Sequence, residues 1–213
     1  MAATEPQFAP ASVAGDRTIA AHGAGAARSF FVAKADTPDR ARLESYIAGI
    51  YRSHYDARIG QWAPTLVGLA AEGRVLAAAG YRDASGPLFL ERYLEAPIEA
   101  VIAARTGTRV ARSEIVEVGH FAAGQPGEGR RLLPVLARHL ARLGYRWVVS
   151  TATRELRVLL AHLRMRPLAL GRANPDELGA DAAHWGCYYD HEPIVVAGDL
   201  LRSLPLIEQG RHR

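Results

Sequence analysis

Glu117 sits in the middle of Glu114-Ile115-Val116-Glu117-Val118-Gly119-His120-Phe121-Ala122, an otherwise apolar stretch. A carboxylate there is costly to bury unless it opens onto a cleft or is hydrogen-bonded, and one so placed can take up a proton. The alternative is a strand with one wet face. His120 could share or replace the role of Glu117. Just downstream, Gly124-Gln125-Pro126-Gly127-Glu128-Gly129 runs into Arg130 and Arg131. This loop offers either backbone N–H groups for a phosphate at a helix start or a plain surface connection. Glu91 and Arg92 are adjacent, and a carboxylate there could hold a cationic amine or form an ordinary surface ion pair. Tyr188 and Tyr189 are neighbours on the last expected strand. Only one of them can then face a cleft, where a phenol can give up a proton. Cys187 reads as a structural thiol, and His184 and His191 lack a metal-ligand spacing, so no metal is expected.

These residues need elements to hold them. Ser29-Phe30-Phe31-Val32-Ala33 reads as a first strand, and Thr37-Pro38-Asp39 as a helix start with a capping hydroxyl and a first-turn proline. A helix over 38–56 follows, with Leu43, Ile47, Ile50 and Tyr51 at helical spacing. Residues 64–71 and 75–81, joined by Glu72-Gly73-Arg74, predict a β-hairpin. A short helix is expected over 97–105. The stretch from 114 to 170 then reads strand, Gly loop, helix, strand, helix, strand. In the helix over 130–143, Leu132, Leu133, Leu136, Leu140 and Leu143 share one face and Arg131, Arg138 and Arg142 the other. That arginine face is either solvated or able to receive an acidic carrier protein or lipid headgroups. Gly144 is a fitting stop. Asn174-Pro175-Asp176-Glu177 opens a helical turn, and residues 185–197 read as the last strand.

With 49% hydrophobic and 23% charged residues in 213, the chain has the profile of one soluble domain. Residues 1–27, rich in Ala, Gly and Pro, read as a flexible extension, 28–200 as the domain and 201–213 as a tail. No apolar run reaches the roughly 20 residues that span a bilayer. With no signal-peptide pattern and a single cysteine, the sequence reads as cytoplasmic. The formal charge of +4 rests on arginine, Lys34 being the sole lysine, and does not by itself make nucleic acid a partner. None is expected, nor is stable membrane insertion.

The order of elements resembles the GNAT acyltransferase fold, and length and polarity resemble acyl-homoserine-lactone synthases. Residues about 29 to 200 are similar to the thermostable hemolysin family. The motifs that carry this are Tyr51-Arg52-Ser53-His54-Tyr55-Asp56-Ala57, Gly80-Tyr81-Arg82, Leu88-Phe89-Leu90-Glu91-Arg92-Tyr93-Leu94, Glu117-Val118-Gly119-His120-Phe121-Ala122 and Trp185-Gly186-Cys187-Tyr188-Tyr189. The resemblance implies an α/β (α+β) single domain with a mixed, mostly antiparallel sheet flanked by helices. It implies transfer of an acyl group from a thioester to a small amine acceptor. Acyl-coenzyme A or an acyl carrier protein would present the phosphopantetheine thioester as co-substrate, with no tightly bound cofactor. Glu117 would be the base, and Tyr188 or Tyr189 would assist the leaving thiolate. His120, Phe121, Ala122, Gly127, Gly129, Arg130 and Arg131 would bind the donor. Tyr55, Trp62, Glu91 and Arg92 would bind the acceptor. The family's name implies lysis of red cells, so a membrane-active or lipid-binding protein is the alternative.

Overall fold

The computed structural model describes residues 27–209, so the extension expected over 1–27 lies outside the described residues except for its last position. Strand β1 (Ser29–Ala33) runs antiparallel to β2 (Thr65–Ala71), and helix α1 (Pro38–Tyr55) lies between them in the chain. Pro38 fits the first turn of α1, where its missing N–H is no loss. Thr37 takes the N-cap position, yet its hydroxyl donates to the Lys34 carbonyl instead of accepting from the helix. β2 turns through Glu72 and Gly73 into β3 (Arg74–Asp83). Both turn residues have positive φ, 48° and 75°, the two-residue geometry whose twist suits a hairpin.

After helix α2 (Ile98–Thr106), strand β4 (Ile115–Ala123) returns antiparallel to β3. Helix α3 (Glu128–Arg142) leads to β5 (Trp147–Ala152), which pairs in parallel with β4. Helix α4 (Arg154–His162), the outer strand β6 (Leu168–Arg172), strand β7 (Ile194–Asp199) and helix α5 (Leu200–Gln209) complete the chain. The sheet order is β1-β2-β3-β4-β5-β7-β6, and every pairing except β4–β5 is antiparallel. The fold class implied by the sequence is the one observed.

Val67, Leu69, Val116 and Val118 face α3, whose Leu132, Leu136 and Leu140 are fully or almost fully buried. Each such side chain contributes roughly 1.5–3 kcal/mol when removed from water. On the opposite face, Leu43 and Ile47 of α1 cover one half of the sheet, and Ile98 and Ile102 of α2 cover the other. One irregularity breaks the alternation of β4. His120 has φ 53°, and the register against β3 slips by one residue between Gly119 and Ala122. This bulge reverses the sides: before it Val116 and Val118 point to α3, and after it Phe121 and Ala123 do.

Three expectations need correction. Residues 185–191 are not strand: Pro175–Trp185 and Tyr188–His191 form 3-10 helices, and the last strand begins only at Ile194. Gly186, at φ 51° and ψ −128°, turns the chain in a way only glycine tolerates, and Cys187 N–H then donates to the Tyr55 carbonyl at 2.8 Å. The aromatic residues that suggested a strand are instead a cluster packed on the end of α1. The tail expected from 201 is largely α5, with Leu200 and Ile207 in the core. Leu143 leaves the leucine face of α3: it is the C-cap, ahead of Gly144 at φ 91°, and is 52% exposed.

Candidate active site

The parallel ladder between β4 and β5 holds only three pairs, Ile115–Trp147, Val116–Val148 and Glu117–Val149. Beyond Glu117 the strands part. β4 continues to Ala123 with β3 on one side and, among the described residues, no sheet partner on the other. A cavity of about 390 Å³ occupies the opening. Its lining includes Glu117, Gly119, Tyr51 and Tyr188 from one face of the sheet. From the other face come Val118, Leu133, Leu136 and Leu140, with Met165 and Leu200 deeper in. The cavity therefore passes through the sheet: polar and aromatic at one end, aliphatic at the other.

Glu117 stands where the strands separate, 7% exposed. Its Oε1 accepts from Leu90 N–H at 2.9 Å and its Oε2 from Phe89 N–H at 3.1 Å, both at the start of the 3-10 helix Phe89–Tyr93. Arg82, its register partner on β3, brings Nε to 3.4 Å from Oε2. Burial raises the proton affinity of Glu117, and the two amides and Arg82 oppose it; the balance lies above the usual carboxylate value. The site thus holds a carboxylate with more appetite for a proton than a surface acid, at the edge of an apolar channel.

Tyr188 is buried, and its hydroxyl donates to the Thr151 carbonyl at 3.2 Å. Burial raises its pKa well above the ordinary value, so it is a protonated donor at any working pH. Tyr189 points elsewhere: its hydroxyl shares a 2.6 Å hydrogen bond with Tyr93, which lines the cavity. Tyr55 meets Tyr51 and Tyr188 edge-on, at ring separations of 5.5 and 5.2 Å, and also lines the cavity.

His120 lines the cavity from the bulge. Its Nε2 donates to the Gln61 carbonyl at 3.1 Å, and its Nδ1 is buried without a partner among the described residues. Burial lowers its pKa to about 4, so it is neutral at pH 7 and cannot serve as an acid there. Trp62 packs over its ring at 5.2 Å, outside the cavity wall. Gly80 makes room for the imidazole, since a Cβ there would lie 2.9 Å from Nδ1.

Other expected residues lie apart. Phe121 lines the cavity, but the Ala122 side chain packs with Leu43, Ile47 and Ala78 on the α1 side. Gly127, at φ 85°, caps α3, and Gly129 packs against Phe121 and Leu159. Neither glycine, nor exposed Arg130 and Arg131, borders the cavity. The first turn of α3 already holds a carboxylate: buried Glu128 is gripped by Arg28 at 2.9 and 3.2 Å, with Arg131 at 3.4 Å. A phosphate arriving there would meet Arg130 and Arg131 beside a neutralised acid.

Glu91 is also absent from the cavity. Its oxygens accept from Leu88 and Ile98 N–H and from the Arg112 guanidinium at 2.7 and 2.8 Å, which drives its pKa down to about 2. It fastens α2 to the 3-10 helix and has no capacity left for a substrate. Arg92 does not pair with Glu91; it pairs with Asp181 at 3.0 Å and lies over the Phe89 ring. Arg82, Phe89, Tyr93, Thr151, Glu155 and His191 also line the cavity; residue type alone gives them no place there, and His191 is weighed only as a metal ligand. Arg82 was legible only as part of Gly80-Tyr81-Arg82, because cross-strand register is not written in local sequence.

The model of the family described as thermostable hemolysin matches residues 33–204. No curated protein matches the chain by sequence. Among solved structures, the chain is similar to FeeM, an N-acyl amino acid synthase from uncultured soil microbes. The TM-score is 0.57 at 13% identity, with 87% of this chain and 98% of that one covered. The acyl-homoserine-lactone synthase LasI gives a TM-score of 0.56 at 12% identity, covering 83% of this chain and 91% of that one. BjaI, a coenzyme A-dependent acyl-homoserine-lactone synthase solved with SAM and isopentyl-CoA, gives 0.57 at 10% identity, covering 84% and 86%. At these identities the likeness is one of fold.

Proposed function

We propose that this chain, which belongs to the thermostable hemolysin family, is an N-acyltransferase that moves a fatty acyl group from a thioester to a small amine or amino-acid-like acceptor. The observation that carries this reading is the parting of β4 and β5 beyond Glu117 around a cavity that runs from a polar, aromatic mouth into an aliphatic interior. An acyl chain suits the aliphatic part, lined by Leu133, Leu136, Leu140 and Met165. The amide-rich arm of a phosphopantetheine suits the unpaired edge of β4, where backbone groups lack a strand partner. The thioester then falls near Glu117.

In this mechanism the acceptor nitrogen attacks the thioester carbonyl, the C–N bond forms and the C–S bond breaks. Backbone N–H groups after Gly119 face the developing oxyanion. Glu117 accepts a proton from the attacking nitrogen, helped by the burial that raises its affinity. Tyr188 lends its proton to the departing sulfur and regains one from Glu117. Arg82 holds the carboxylate in place. The donor is carried by coenzyme A or by an acyl carrier protein. The exposed Arg130 and Arg131 at the start of α3 would meet phosphate or an acidic carrier surface.

Thiol release from matched acyl-coenzyme A and acyl-carrier-protein thioesters, with pooled amino acids and small amines as acceptors, tests the reading. Acceptor-dependent release is expected. A folded protein that releases no thiol from any pair overturns it and makes dye leakage from liposomes the next measurement.

A further inference from the structure

The rim of the cavity carries a second proton-handling group. His191, at the end of the 3-10 helix Tyr188–His191, and Glu155, in the first turn of α4, both line the opening. His191 Nδ1 lies 3.0 Å from Glu155 Oε1. The ring is held edge-on by Tyr55, centroid to centroid 4.9 Å at 86°. The turn behind it is held by Arg157, which donates to the Glu192 carbonyl at 2.6 Å and the Ala152 carbonyl at 3.0 Å. A carboxylate on Nδ1 fixes the tautomer: the proton sits on Nδ1, and Nε2 keeps its lone pair. The side chains of the pair are 31% and 57% exposed, against 9% for Glu117.

The chemistry of the proposed reaction calls for such a group. An amine acceptor enters largely as an ammonium, and two protons must leave its nitrogen on the way to an amide. One departs with the sulfur. The other has to reach bulk water, and Glu117, held by the Phe89 and Leu90 amides and by Arg82, is far less open to solvent than His191 on the same cavity.

We propose that His191, oriented by Glu155, is a catalytic base that takes the first proton from the ammonium acceptor at Nε2 and passes it to solvent, leaving Glu117 to handle the second. This inference rests on the acyltransferase reading. The charged and titratable groups around His191 are Glu155 and Arg157 on α4, Tyr55 on α1, and Tyr188, Asp190 and Glu192 on its own segment.

The test is the pH dependence of acceptor-dependent thiol release by the full chain. His191→Asn is expected to lower kcat/KM for the amine at least tenfold near pH 6.5, with the donor's KM unchanged. The loss should shrink above pH 9, where the amine deprotonates without help. Glu155→Gln, which keeps an acceptor for Nδ1 but not the charge, is expected to lower kcat/KM for the amine in the same direction by a smaller factor, and it serves if His191→Asn is poorly folded. Glu117→Gln should lose rate at every pH. A His191→Asn enzyme with the wild-type rate and acidic limb overturns the inference and leaves the acyltransferase reading intact. A wild-type protein that releases no thiol overturns both.

Discussion

Arg82 and Glu117 face each other across β3 and β4, in register and with Nε 3.4 Å from Oε2, at the point where β4 leaves β5. The pairing turns a strand position into a fixed carboxylate. Glu117 also serves two backbone N–H groups, so it is at once a proposed base and a structural cap.

Glu117→Gln separates those functions in part. One amide oxygen can still accept from a backbone N–H, but the group no longer takes up a proton. Turnover should fall at least tenfold while circular dichroism reports the native fold. Full activity in a folded Glu117→Gln enzyme would remove Glu117 from the mechanism.

The Glu91–Arg112 cluster makes the opposite prediction. Glu91→Ala strands two backbone N–H groups and a guanidinium that is also held by Glu99 at 2.6 Å. Stability should drop by about 3 kcal/mol in urea unfolding. The donor's KM should stay within twofold in the folded fraction, because Glu91 does not reach the cavity.

Much of the fold is legible in the sequence. Every strand up to β6 lies within about two residues of its sequence signal, because those signals are local: apolar runs, Pro38 at a helix start, the Glu72-Gly73 turn. The lining of the candidate site was legible where a residue type stands out from its surroundings, as at Glu117 in an apolar strand. It was not legible where two distant segments meet. Glu91 looked available until Arg112 and the N–H groups of Leu88 and Ile98 closed on it. Tyr188 and Tyr189 looked like strand neighbours with opposed faces. Gly186 instead winds them into a 3-10 turn, where one ring lines the cavity and the other reaches it only through Tyr93.

Gly186 gives a third prediction. A Cβ at this position would lie 1.9 Å from the Tyr55 carbonyl oxygen, and its φ and ψ are closed to other residues. Gly186→Ala should cost at least about 2 kcal/mol, read as a lower melting temperature, and should loosen the seat of Tyr55 and Tyr188 together.

Acid stability follows chiefly from three residues, His120, His139 and Glu91. Burial lowers the pKa of His120 from about 6.5 to about 4, so the unfolded chain binds its proton first and stability falls as pH drops through that window. His139, also lowered by burial, adds in the same direction. Glu91 is depressed from 4.5 to about 2, so its contribution is complete above pH 4.5 and is lost on the way down to 2. Glu117, raised by burial, works the other way as it takes up its proton, but His120, His139 and Glu91 together set the sign, and urea unfolding at pH 7, 5 and 4 should show a net decline. His120→Gln should flatten the upper part of that decline relative to wild type.

A final prediction concerns the aliphatic end of the cavity. Gly198 lines it, and the nearest atom to a Cβ there is the Val148 carbonyl oxygen at 3.8 Å. Gly198→Val should therefore fold with little loss of stability, strands favouring valine. Competition between short and long acyl thioesters should then shift at least tenfold toward the short ones.

The three-pair ladder between β4 and β5 also has a mechanical meaning. The sheet is two plates, β1 to β4 and β5 to β7, joined by a seam of three residue pairs at one end and open at the other. Beyond the seam, β4 past Glu117 and β5 past Val149 border the gap with no rung between them among the described residues. In the proposed reaction a ligand threaded there would supply the rungs the seam lacks, so that filling the gap and joining the two plates would be a single event.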